Sequence, residues 1–135
     1  MDIRHLLLPS LPTMQRALTL RSTRQELLSQ NLANAATPGY EAVDLPFEES
    51  MRAAEARHPP GIATTDKRHL AMPASTATAP VSLVASGTAP GLDGNTVDVE
   101  ETMGQMAENT ILYGATAQIT TGIFASLIHA IREGR

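Results

Sequence analysis

The chain has no Cys and no Trp, and only two Phe and two Tyr among its 135 residues. Without Cys there is no disulfide framework, no thiolate metal site and no Cys nucleophile. With so few rings, burial must rest on aliphatic stripes, the habit of long packed helices rather than of a compact enzyme core. Positive charge is in the minority, with 10 Lys and Arg against 14 Asp and Glu and a net charge of −4. No broad basic surface is available for phosphate backbones, so nucleic acid is not an expected partner. Uninterrupted apolar runs are also short: Leu6-Leu7-Leu8 is stopped by Pro9, and its polar lead-in, Met1-Asp2-Ile3-Arg4-His5, does not read as a Sec signal. No run approaches the ~20 residues of a membrane-spanning helix, so none is expected.

What is present is helical periodicity at both ends. Ser10, Pro12 and Thr13 suit a helix start near Leu11. Thr37-Pro38-Gly39-Tyr40 is a stop, because Pro fixes φ and Gly accepts the positive φ of a type II turn. The first helix is therefore expected to end at about Ala35 or Ala36. One seam in it runs Leu11, Met14, Leu18, Arg21, Gln25, Leu28, Leu32 and Ala35, and a neighbouring one runs Ala17, Leu20, Arg24, Leu27, Asn31 and Asn34. Arg21 and Arg24, lying on these seams, are read as meeting acids of another subunit.

A second, longer helix is announced by the turn Asp93-Gly94-Asn95 and by Asp98, Glu100 and Glu101, acids placed where the helix dipole is positive. Asp98 and Glu101 have capping-box spacing. From Val99 through Met103, Met106, Thr110, Tyr113, Ala117, Thr120, Phe124, Leu127 and Ile131 the steps alternate four and three, which predicts a helix from about Val97 to Arg132. Leu112, Ile119 and Ile123 make a second side apolar, so one partner helix cannot cover it all. Gly104, Gly114 and Gly122 suggest close backbone approach. The paired seams predict that the two terminal helices lie antiparallel.

Between them, residues 53–92 contain 26 Ala, Pro, Ser, Thr or Gly in 40 positions. Such a stretch buries little and is expected to be irregular and partly disordered. Short extended segments are expected at Ile62–Thr65 and Val81–Val84, and a short helix over 48–55. The four histidines lack metal-ligand spacing, the loop starting at Asp93 lacks the Gly and Glu of a calcium loop, and no phosphate loop or nucleophile elbow occurs. No catalytic, cofactor or metal site is expected.

The segment Asn31-Leu32-Ala33-Asn34-Ala35-Ala36-Thr37-Pro38-Gly39-Tyr40 resembles the N-I-A-N-x-x-T-P-G-Y box of bacterial flagellar axial proteins, with Leu32 for Ile. Leu20 to Leu28, Asp44-Leu45-Pro46-Phe47, and Asp93-Gly94-Asn95-Thr96-Val97-Asp98 with Tyr113 look like the proximal rod protein family of the flagellar basal body. The likeness covers about residues 11–50 and 93–133, with a weaker echo at Thr65–Leu70.

It implies an all-α fold in which the two long terminal helices form an antiparallel, coiled-coil-like pair, joined by an irregular Ala/Pro/Thr-rich middle with at most short β segments. Residues 11–40 and 93–135 would form one rod-core domain, with 1–10 a flexible N-terminus and 41–92 a connecting arm. The function implied is structural, not enzymatic: a rod subunit in the periplasm, exported through the flagellar type III apparatus, that assembles head to tail and transmits torque. Implied partners are copies of itself, other rod proteins, and basal-body adaptor and motor-ring proteins. The candidate partner-binding residues are Leu20, Leu27, Leu28, Asn31, Asn34, Leu112, Tyr113, Ile119, Ile123, Phe124 and Leu127, with Thr37, Pro38, Gly39 and Tyr40 as the turn motif. An a/d seam is equally compatible with a small closed coiled-coil adaptor or an export-related helical bundle, which would stop at a fixed mass.

Overall fold

The computed structural model describes residues 10–56, 83–85 and 89–133. The N-terminal nine residues, the Ile62–Thr65 and Thr65–Leu70 segments and Val81-Ser82 lie outside them. The chain runs α1 (Ser10–Ala33), β1 (Val43–Asp44), α2 (Phe47–Ala56), β2 (Val84–Ala85) and α3 (Val99–Glu133). Two long helices near the two ends dominate, as expected. At 1.5 Å per residue α1 is about 36 Å long and α3 about 52 Å.

Each helix begins and ends for a local reason. In α3, Asp98 Oδ1 accepts from the Glu101 amide at 3.0 Å, so Asp98 is the N-cap. Glu100 and Glu101 fill the first turn and Arg132 the last, both matched to the dipole. Glu101 Oε1 accepts from Gln105 Nε2 one turn on, at 3.0 Å. Helix α1 ends at Ala33, two or three residues before the expected stop, because the amides of Asn34, Ala35 and Thr37 turn to carbonyls three or four residues back as the chain unwinds into the turn. Helix α2 opens with Glu48 and Glu49 in its first turn, and Arg16 Nη1 of α1 reaches its Ala54 carbonyl at 3.4 Å. Residues 47–56 form it, slightly longer than the expected 48–55.

The two long helices are antiparallel. Asn109 of α3 sits beside Arg21 and Gln25 of α1, and Asn95, just before α3, sits at the end of α1. Strand β1 and helix α2 also pack on α1. The strands pair antiparallel, Val43 with Ala85 and Asp44 with Val84. The sequence placed the second strand at Val81–Val84, and the observed register puts its described end one residue later. Among the described residues the buried apolar side chains are Ala17, Leu28, Ala42 and Leu45.

The periodicity of α3 needs a correction. Its expected seam leaves Val99, Met103, Tyr113, Phe124 and Ile131 exposed, while the residues buried against α1 are Thr102 and Asn109. Met106, Ala117, Thr120 and Leu127 of the same seam are half-buried, so the seam runs along the edge of the contact with part of its apolar surface outward. A count of unbroken apolar runs was also misleading. Helix α3 is long and apolar enough to cross a membrane by length and composition, because Thr, Gly and Ser interrupt its apolar runs without adding charge.

Candidate assembly interface

Two regions stand out: a polar junction where the chain turns out of α1, and a bare face on α3. At the junction, Asn31 is 2% exposed and mimics a strand neighbour. Its Nδ2 donates to the Val43 carbonyl at 2.7 Å, and its Oδ1 accepts from the Val43 amide and the Tyr40 hydroxyl, each at 3.2 Å. Asn34 Nδ2 bonds the Gln30 carbonyl at 2.9 Å, while its Oδ1 accepts from Thr37 at 3.3 Å. Both asparagines therefore serve their own chain.

The turn is as its residues demand. Gly39 has φ +70°, and the Tyr40 amide returns to the Thr37 carbonyl at 3.3 Å. Asp93-Gly94-Asn95-Thr96 lies directly against it. The Gly39 amide bonds the Asp93 carbonyl, the Thr96 amide bonds the Tyr40 carbonyl, and Ala42 N–H bonds Thr96 Oγ1. The Nδ2 of buried Asn95 is within 3.0 Å of the carbonyls of Asn34, Ala35 and Thr37, just past the end of α1. Its Oδ1 holds the Val97 amide at 2.7 Å, aiming the chain into α3. Two sequence boxes 60 residues apart are thus one hydrogen-bonded unit.

Charge near the junction is also consumed internally. Arg24 forks onto both Asp44 oxygens at 2.9 and 2.7 Å. That hydrogen bond raises the Arg24 pKa against the opposing effect of burial. Arg21 lies 4.0 Å from the centroid of Phe47, and burial, with Arg24 nearby, lowers its pKa. The reading of both arginines as docking to acids of another subunit gives way to these contacts for Arg24, whose acid partner is in its own chain.

The candidate docking residues separate into two groups. Leu28 and Asn31 are buried within the subunit, and Leu20, Leu27 and Asn34 are half-buried along α1. Leu112, Tyr113, Ile119 and Phe124 are exposed on α3, with Ile123 and Leu127 half-buried between them. Thr37, Pro38 and Gly39 are exposed and Tyr40 half-buried. Reasoning from periodicity did not single out Ile111, Ile128 and Ile131 as docking residues, yet they are equally bare.

The bare face has a further property. From Asn109 to Ile131 there is no Asp, Glu, Lys or Arg. Every Ser and Thr in that stretch after Asn109 donates its hydroxyl to the carbonyl four residues back: Thr110, Thr116, Thr120, Thr121 and Ser126, at 2.8 to 3.0 Å. A helix whose hydroxyls are satisfied internally can be buried on several sides with little desolvation penalty.

Comparison with known proteins shows a family. Residues 11–40, which are α1 and the turn, match the family described as flagella basal body rod protein. The flagellar basal body rod protein FlgB of Salmonella typhimurium is 38% identical over 125 residues, covering 89% of this chain and 91% of that one. That of Escherichia coli (strain K12) is 33% identical over 127 residues, with the same coverage of 89% and 91%. The chain belongs to the FlgB family. A third relative, FlgB of Aeromonas hydrophila, is 32% identical over 130 residues, 87% of this chain and 89% of its own. Family membership assigns the chain to the flagellar basal body.

Proposed function

We propose that this chain is a structural subunit of the proximal part of the flagellar basal-body rod, built by head-to-tail contacts between copies and transmitting torque along the shaft. The observation that carries the reading is the uncharged, exposed half of α3. It continues past the described start of α1, and its hydroxyls are already bonded. Exposed apolar area of this extent on a single chain marks a surface meant for partners. Heterologous contacts between such faces do not close on themselves and give a helical assembly. In this reading α1 and α3, residues 11–40 and 93–135, are the tube-forming core with coiled-coil-like packing, and the segment between belongs to the outside. Copies of itself, other rod proteins and basal-body adaptor and motor-ring components supply the neighbours, and delivery is through the flagellar type III export apparatus.

The length and composition of α3 also suit a bilayer, but membership in a rod family favours burial against protein. Phe124 decides between assembly and its absence, being exposed at 50% in the subunit so that its replacement leaves the core intact. Phe124→Asp is expected to abolish incorporation into basal bodies and motility, because an unpaired carboxylate cannot be buried in the interface. Normal rods containing that variant would sink the reading. Recovery of the wild-type chain in membranes without basal bodies would favour the bilayer.

A further inference from the structure

Among the described residues α3 has two buried side chains, Thr102 and Asn109, and they behave differently. The Thr102 hydroxyl donates within its own helix, to the Asp98 carbonyl at 2.6 Å. Thr116 and Thr120, half-buried further along, are bonded in the same way to Leu112 and Thr116. Such groups are satisfied wherever α3 lies along α1. Asn109 is not, because its amide nitrogen donates across to α1, to the Arg21 carbonyl at 2.9 Å and to Gln25 Oε1 at 2.8 Å. At 1% exposure no water can replace these bonds from outside.

Helix α1 offers one layer that answers it. The seam Leu11, Met14, Leu18, Arg21, Gln25, Leu28, Leu32 and Ala35 is apolar except at Arg21 and Gln25. Slid one heptad either way, Asn109 would lie against Leu28 and Leu32 or against Met14 and Leu18, and its carboxamide would be buried with nothing to bond. Apolar contact makes no such distinction, since it is non-directional and the slip exchanges one aliphatic neighbour for another. The polar layer therefore discriminates where the rest of the seam does not.

We propose that Asn109, acting with Gln25, is a positioning residue that fixes the register of α3 on α1, less stabilising than an apolar layer but specific to one alignment. The junction at Asn95 pins the start of α3, and Asn109 is the next fixed point along the pair. One heptad of slip would carry the bare end of α3 about 10 Å along the pair. The docking face would then meet its neighbours out of place. That consequence rests on the reading of the chain as a rod subunit, whereas the register belongs to the subunit itself.

A chain without Cys allows a direct test. Nitroxide labels are attached at Ser29→Cys and Thr121→Cys, exposed positions of α1 and α3, in the full-length chain. In the observed register these lie about 27 Å apart along the pair, and one heptad of slip changes that by about 10 Å, a difference that pulsed electron resonance resolves. A single distance is expected with Asn109 in place. Asn109→Leu, similar in volume, is expected to keep its helical circular dichroism and its urea midpoint while the distance splits into two populations. Moving the residue one heptad, with Asn109→Thr and Thr116→Asn together, is expected to shorten the distance by about 10 Å. Three results would overturn the proposal. A single unchanged distance in Asn109→Leu would mean that the junction alone sets the register, and loss of helix in that variant would mean that the bonds hold the fold rather than choose its alignment. The third is a moved Asn that leaves the distance where it was. All three use purified chain, so absence of the wild-type chain from basal bodies would remove the rod reading and leave the register result standing.

Discussion

At the residue scale, the junction shows how much one small polar side chain can do. Asn31 replaces a strand edge for Val43, and Asn95 closes the open end of α1 while steering the entry to α3. Both were visible in the sequence as members of motifs, but their partners were not, because the contacts cross between segments far apart in the chain. For Asn31 and Asn34 the resemblance left two roles open, bonding carbonyls at the helix end or backbone groups of a neighbouring subunit, and the bonds present are within the chain. Gly39 was legible in full, since a Pro-Gly pair at a helix end leaves few conformations. Its φ of +70° and the open space around it mean that a substitution there is opposed by backbone conformation alone. Gly39→Val is expected to destabilise the fold by about 2 kcal/mol, the upper part of the range for an L-residue in left-handed geometry. Gly39→Asn is expected to lose less, since Asn tolerates that region. Urea unfolding followed by helical circular dichroism checks both, and equal midpoints for Val and Gly would refute the turn strain.

At the element scale, α3 teaches why periodicity locates a helix better than it assigns the helix faces. The four-three alternation correctly marked a helix ending near Arg132, but an apolar count says only which side avoids water, not what covers it. Within the subunit α1 takes the stripe of Thr102 and Asn109, whose polar atoms find specific partners in Asp98 and Arg21. Much of the apolar surface of α3 lies outside that contact. The back-bonded hydroxyls, equally, are a property of helix geometry and not of composition. They make a prediction about Thr121, which is exposed and bonds the Ala117 carbonyl at 2.9 Å. Thr121→Val keeps the shape and removes a group that no neighbour uses, so swarming is expected to be unchanged. Thr121→Lys puts a charge on the same spot and is expected to stop assembly. A swarming Lys variant would show that this side of α3 stays wet in the rod.

At the scale of the whole molecule, little apolar surface is buried and much is bare, with Leu112, Ile119, Phe124, Ile128 and Ile131 all outward. The expectation is that the subunit reaches full order with its neighbours, as in folding coupled to binding. Dilute monomer is expected to exchange its amides quickly along 121–133, beyond the reach of α1, and more slowly around Asn95 and Asn109, with protection spreading over the whole of α3 in the rod. Strong protection of 121–133 in a demonstrated monomer would contradict this. Family and architecture were legible from the terminal motifs, while the division between inner and outer faces required the paired side chains of both helices at once. The pairing of β1 with β2 bears on the history of such chains. Val43-Asp44 and Val84-Ala85 lie side by side, so the backbone departs and returns at one place. Lengthening a loop whose ends are so pinned is inexpensive, about 0.6 kcal/mol for each doubling. Insertions or deletions between Ala56 and Leu83 are thus expected to cost little stability, while α2 and the helical pair keep their contacts.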